Sequence, residues 1–201
     1  MRKNFFAFTY LLFSVTLATL LLSCQRGEPR LSNTIKPDLD SLWLTQVALL
    51  MKSNANLQKE VTMNDTSEVN VSQPKDSLAW AKELEILRAI RNLQLASNFP
   101  LYTKTTYKDS TSNLMVTAFQ ATKALPLKSL KLFKTQKHEL KKIEAEFAEQ
   151  NSLLDNQKKI ILFFSEVNNK NRLTSYSVKG YQHMVLSDTL QFELKANIII
   201  L

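Results

Sequence analysis

The sequence predicts an α+β fold, an N-terminal helical hairpin packed on a C-terminal antiparallel β-meander. Three observations predict it. Apolar residues recur at helical spacing between about residues 40 and 97. From residue 100 onward they alternate with polar ones in short runs divided by turn residues. The helical part precedes the alternating part without interleaving, which is the α+β order.

The elements follow in order. Asp40-Ser41 offers a helix cap, and Trp43, Val47, Leu50, Leu57 and Val61 continue a helical stripe widened by Leu44, Ala48 and Met51, so a helix is expected over about 40–60. Residues 62–76 are polar and contain Pro74, the pattern of a connecting loop. Asp76-Ser77 offers a second cap, and the helix behind it, to about Ser97, is apolar over a wide arc (Trp80, Leu84, Leu87, Ile90, Leu93), so much of its girth is buried. Asn98 and Pro100 end it. Residues 40–98 thus read as the helical hairpin and 100–201 as the sheet, together one domain over 40–201.

Six to eight strands are expected in the sheet: 101–108, 114–122, 127–135, 140–148, 158–167, 173–179, a continuation over 181–186, and 190–200. The run 158–167 is apolar on both faces, which marks a central strand covered on both sides. Gly180 is expected to bend or bulge its strand. The last strand alternates most regularly, with Leu190, Phe192, Leu194, Ala196, Ile198 and Ile200 on its core face. A twisted meander of this size can curl into a half-barrel with the hairpin on its inner side.

The first 23 residues read as an address. Arg2 and Lys3 precede an apolar stretch from Phe5 to Leu22, and no acidic residue occurs before Glu28. The stretch is near the lower length for a transmembrane helix. Leu21-Leu22-Ser23-Cys24 resembles the lipobox of bacterial lipoproteins, and it holds the chain's one cysteine. The resemblance implies cleavage between Ser23 and Cys24, a diacylglyceryl group on the Cys24 thiol and acylation of the new amine. Two or three acyl chains give the stable anchoring that one cannot. Removal of Arg2 and Lys3 lowers the formal charge from +8 to +6. Residues 24–39, with Gly27, Pro29 and Pro37, read as a lipidated tether. Gln25 lacks the inner-membrane retention signal of Asp at that place, and Gln25-Arg26-Gly27-Glu28 lacks the acidic run of surface-exported lipoproteins. The expected location is the outer membrane, facing the periplasm.

Composition excludes several classes. Two glycines cannot build a Gly-rich phosphate loop, and one cysteine and two histidines leave no disulfide and little for a metal site, so no cofactor is expected. No Gly-x-Ser-x-Gly elbow occurs. His138, beside Glu139, has the chemistry of a general base, but sits in a polar turn. His183 alternates with Tyr181 and Val185 and reads as a half-buried strand residue. Glu144 and Glu146 share one strand face, where they can mimic an acid pair or simply be solvated. The aromatics Phe119, Phe133, Phe147, Phe163, Phe164, Phe192, Tyr176 and Tyr181 fit a core, or the lining of a lipid cavity. The densest charge is the lysine cluster Lys128, Lys131, Lys134, Lys137, Lys141 and Lys142. It is a candidate contact for anionic head groups, lipopolysaccharide or an acidic partner. The alternative is a lysine-rich sheet rim that discourages edge pairing. Alternation places Lys128 and Lys134 on one face and Lys131 on the other. Without interleaved stacking aromatics, nucleic acid is not an expected partner.

The stretch Ala79-Trp80-Ala81-Lys82-Glu83-Leu84-Glu85 resembles a Trp-x-x-Glu-Leu helix of outer-membrane lipoproteins of Bacteroidota, in which a lipobox, a helical hairpin and a β-meander follow in the same order. This chain departs from them after the helix, with Asn98-Phe99-Pro100 in place of an Asp-Ile-Asn-Lys-Pro run. The resemblance implies architecture and location and lends no activity. The plan also resembles, at the level of fold, half-barrel carriers of lipoproteins in the periplasm. The expectation is a non-enzymatic envelope lipoprotein, held to the membrane by the lipid on Cys24, whose domain binds another envelope protein or lipid. The alternative is a periplasmic carrier for a lipid or other hydrophobe.

Overall fold

The computed structural model describes residues 37–94 and 97–200. Ser23, Cys24, the leader and the tether up to residue 36 lie outside the described residues.

Helix α1 is Leu39–Lys52. Its cap is Asp38, two residues earlier than the expected Asp40, and the Asp38 carboxylate accepts the Ser41 N–H at 2.9 Å. Leu39, Val47 and Leu50 are its buried apolar side chains. The helix ends at Ser53, and Asn54 turns the chain through a left-handed φ of 46°, which asparagine tolerates better than most residues.

The chain then departs from the helical hairpin expected over 40–98. Asn56–Met63 is strand β1 and Thr66–Ser72 is strand β2, paired antiparallel from Leu57 with Ser72 to Met63 with Thr66. Leu57 and Val61 therefore belong to a strand, and residues 62–76 are largely a strand and its turn. The helical stripe was a coincidence: residues four apart share a face in a strand as well as in a helix. Asn64, at φ 49°, makes the turn. Every residue of β2 is exposed, so no burial imposes an alternating pattern on its sequence.

Helix α2 is Ser77–Glu83 and helix α3 is Glu85–Ile90, followed by a 3₁₀ turn at Arg91–Gln94. Asp76 caps α2 as expected, its carboxylate accepting the Ala79 N–H at 2.7 Å. The remaining strands are β3 Tyr102–Lys108, β4 Met115–Ala121, β5 Leu127–Lys134, β6 Leu140–Gln150, β7 Leu154–Val167, β8 Lys170–Met184 and β9 Leu190–Ile199.

All nine strands form one antiparallel sheet in the order β2-β1-β9-β8-β7-β6-β5-β4-β3. It is α+β but dominated by the sheet, and it is not closed into a barrel: β2 and β3 are its edges. The segment between β2 and β3 must therefore run from one edge to the other, roughly 38 Å at the usual strand spacing. That segment carries α2 and α3, which accounts for their cover over one face.

This inner face is the core. One register row across it reads Thr106, Thr117, Leu132, Ile143, Leu162, Tyr176, Ala196 and Lys59. Its middle residues are buried against Trp80, Leu84, Leu87 and Ile90. Each such large apolar side chain contributes about 1.5–3 kcal/mol by leaving water. The doubly apolar strand β7 occupies the centre of the nine, as its pattern predicted. Its second face is not covered, however: Phe163 is 44% exposed and Ile161 half-buried. Gly180 neither bulges nor breaks its strand. The pairing of β8 with β9 is continuous through it, and the bulge in β8 falls at Thr174 instead.

Candidate functional site

Two bulges decide where the lysine cluster goes. In the β5–β6 pairing, Leu127 faces Phe147 while Ser129 faces Glu146, so Lys128 is an extra residue; Phe133 faces Lys142 while Lys134 faces Leu140, so Lys141 is another. Bulges re-aim side chains, and the simple alternation of these lysines does not hold through them. Lys142 lies 3.8 Å from the centre of the Phe133 ring and 2.9 Å from Glu144. Lys141 pairs with Glu139 at 3.3 Å. Lys131 sits opposite Glu144 in the register, and Lys137 is exposed in the β5–β6 turn. The six lysines are thus divided: Lys128 and Lys141 at bulges, Lys141 and Lys142 in ion pairs, Lys137 in a turn, and Lys131 and Lys134 on the regular β5 ladder.

Other lysines converge instead. Three neighbouring register rows cross β6, β7 and β8: Glu146, Lys159 and Lys179; Phe147, Lys158 and Gly180; Ala148, Gln157 and Tyr181. These nine residues, with Lys128, Thr189 and Gln191, line a groove of about 830 Å³. The first and third rows point to the outer face by strand parity, so they form its walls and the middle row its floor. Gly180, whose side chain would project to the inner face, lets the strands pack tightly beneath the floor. A Cβ there would stand 2.2 Å from the Gln157 carbonyl oxygen and 2.9 Å from the tip of the Phe192 ring.

Four lysines line the groove against one lining carboxylate, but Lys158 projects to the inner face, and Glu193 stands opposite Lys179 in the β8–β9 register. Lys159 meets Glu146 at 3.5 Å and Glu144 at 4.0 Å, and Ser129 donates to Glu146 at 3.0 Å. Lys158 lies 5.0 Å from the centre of the Phe147 ring. Lys128 and Lys179 form no ion pair among the described residues. The Tyr181 hydroxyl donates to Asp155 at 3.3 Å; desolvation first, then the Asp155 charge, raise its pKa, so it stays a neutral donor. His183 stands near this end of the sheet, its Nδ1 3.1 Å from the Thr189 hydroxyl, and is exposed.

A second polar constellation joins the helices to the sheet. Glu83, at the end of α2, accepts a short hydrogen bond from the Tyr176 hydroxyl and pairs with Lys59 Nζ at 2.9 Å. Burial, then the hydrogen bond and charge of Glu83, push the Tyr176 pKa far above the ordinary phenol range. A pocket of about 550 Å³ opens beside Lys59 and Glu83, bounded by Gln73, Pro74 and Lys82. This arrangement holds a carboxylate between two donors, as an anchor between α2, β1 and β8 does.

The remaining candidates separate. His138 is exposed in the β5–β6 turn at φ 64°. Glu144 and Glu146 both face lysines. Phe119, Phe164 and Tyr176 are core, Phe133 is buried under Lys142 on the outer face, and Phe192 lies on Gly180. Among the described residues, no group of three or more His, Cys, Asp and Glu is placed to hold a metal ion, and no helix is long and apolar enough to cross a membrane. Sequence reasoning missed the groove because its lysines come from three strands. The one local signal was Gly180, since glycine inside a strand marks a close approach. No family model matches the chain, and no curated protein and no solved structure matches it.

Proposed function

We propose that the chain is a bacterial envelope lipoprotein, anchored to the periplasmic leaflet of the outer membrane through acyl groups on Cys24, and that its α+β domain binds another envelope component rather than catalysing a reaction. The observation that carries this reading is Leu21-Leu22-Ser23-Cys24, a lipobox pattern behind a basic start and an apolar stretch, with the single cysteine at the acylated position. The lysine-lined groove supports a binding role, because it gathers charged groups and neutral donors at one place on the sheet. The carrier alternative needs apolar space between the helices and the sheet. Trp80, Leu84, Leu87 and Ile90 are packed there with 0–2% exposure, which favours the binding reading.

The test is metabolic labelling with an alkynyl fatty acid in a Gram-negative host, followed by membrane fractionation. The wild-type chain should take up label and fractionate with the outer membrane. Cys24→Ala should take up none and lose that location. Label on the Cys24→Ala chain overturns the anchor.

A further inference from the structure

We propose that the outer-face groove across β6, β7 and β8 binds a phosphorylated saccharide. The charge argues for an anion. Lys128 and Lys179 bring to the groove ammonium groups that make no ion pair among the described residues, Lys179 standing across the ladder from Glu193, while Lys159 is shared between Glu144 and Glu146. The side-chain type suits phosphate, which lysines bind as point charges without the planar match of an arginine fork. The arginines of the folded part are engaged elsewhere: Arg88 with Glu85, Arg91 with Asp40, and Arg172 with the Leu49 carbonyl.

The rest of the lining argues for a sugar. Beside the lysines stand Gln157, Gln191, Thr189 and the phenol of Tyr181, neutral groups that donate and accept hydrogen bonds to hydroxyls. A bare phosphate would leave them unused. The volume, about 830 Å³, is within the usual range for small-molecule sites. The phosphosugar can be the head group of a glycolipid or a soluble molecule; both share this chemistry. The proposal deepens the envelope-binding reading and rests on it only for the source of the ligand.

The experiment is isothermal titration calorimetry of the full chain in a polyoxyethylene detergent, which carries neither phosphate nor sugar. Glucose 1-phosphate should bind at least roughly tenfold more tightly than either glucose or inorganic phosphate. The double variant Lys128→Gln, Lys179→Gln should weaken it by roughly tenfold or more while the thermal melt stays unchanged. Glu146→Gln, which removes the lining carboxylate, should tighten it about threefold. Absence of binding, equal affinity for inorganic phosphate, or indifference to the double substitution overturns the proposal. Lipid A added to the same micelles separates the sources. Affinity well above that for glucose 1-phosphate, lost in the double variant, identifies a lipid head group; affinity no higher identifies a soluble phosphosugar. Loss of the groove's binding with Cys24 acylation intact defeats this proposal alone, and the reverse result defeats the anchor alone.

Discussion

The Gln46 side-chain carbonyl accepts the backbone N–H of Leu173 at 2.8 Å, joining α1 to β8 across 127 positions of chain. The same amide donates to the Asn171 carbonyl at 3.1 Å. Leu173 adjoins the Thr174 bulge, where the ladder with β7 shifts register. Gln46 therefore caps the backbone where the bulge disturbs it, which explains a glutamine only 2% exposed. Gln46→Ala leaves the Leu173 N–H buried without this acceptor and should cost about 1–3 kcal/mol, read as a lower urea midpoint. An unchanged midpoint would mean that another acceptor takes over.

Tyr176 makes stability fall in alkali. Its folded pKa is raised by burial first and by Glu83 second, so the folded protein keeps the phenol proton where the unfolded chain releases it. The contribution is complete below about pH 10, the unfolded value, and declines above it at up to about 1.4 kcal/mol per pH unit. Equilibrium unfolding at pH 9, 10 and 11 should show this decline in the wild type and a shallower one in Tyr176→Phe. Equal slopes would refute the assignment.

Gly180 is required by what touches it rather than by its backbone angles, since no glycine among the described residues has a positive φ. Gly180→Ala places a methyl 2.2 Å from a backbone oxygen, which cannot swing aside as a side chain can. A loss of about 2–3 kcal/mol is expected, with new chemical shifts at Gln157 and Phe192. A fully stable Gly180→Ala protein would show that β7 and β8 separate easily.

His138 serves as a turn residue. Its N–H donates to the Thr135 carbonyl at 2.9 Å, and its φ of 64° is one that glycine adopts freely. Relief of about 1–2 kcal/mol of left-handed strain, less about 0.5–1 kcal/mol of glycine entropy, should make His138→Gly more stable by roughly 0.5 kcal/mol. A destabilised variant would mean that the imidazole makes contacts of its own.

Strands β4 to β9 were legible because burial on one face stamped alternation on them; Ala196 and Ile198 are buried in the strand that alternated most regularly. Strand β3, exposed apart from Tyr102, was marked instead by Pro100 before it and the turn at 109–113 after it. The central place of β7 was legible from apolarity on both its faces, although the cover expected over the second face is absent at Phe163. Strand β2 was not, because a strand exposed along its whole length is free to carry any polar sequence. Strand β1 was hidden by Leu57 and Val61, whose spacing continued the stripe of α1. The lysine-rich run 128–142 was visible as composition, but its bulges at Lys128 and Lys141 were not, since a bulge is a property of two strands in register. The groove was invisible for a related reason: Lys128, Lys159 and Lys179 are brought to one groove only by long-range pairing.

The pairing of β1 with β9 carries a kinetic consequence. Asn56 lies opposite Ile199, so one of the first strands of the domain finds its place only when one of the last exists. Until β9 emerges, the β1–β2 hairpin has nothing beside it but its own turn, and β8 shows an open edge. Such non-local closure is slow and exposes pairing edges meanwhile. On the proposed route of export, the sheet can complete only after β9 has crossed the membrane. Incomplete chains lacking β9 would present two unpaired edges at once, a form suited to capture by chaperones or proteases rather than to accumulation.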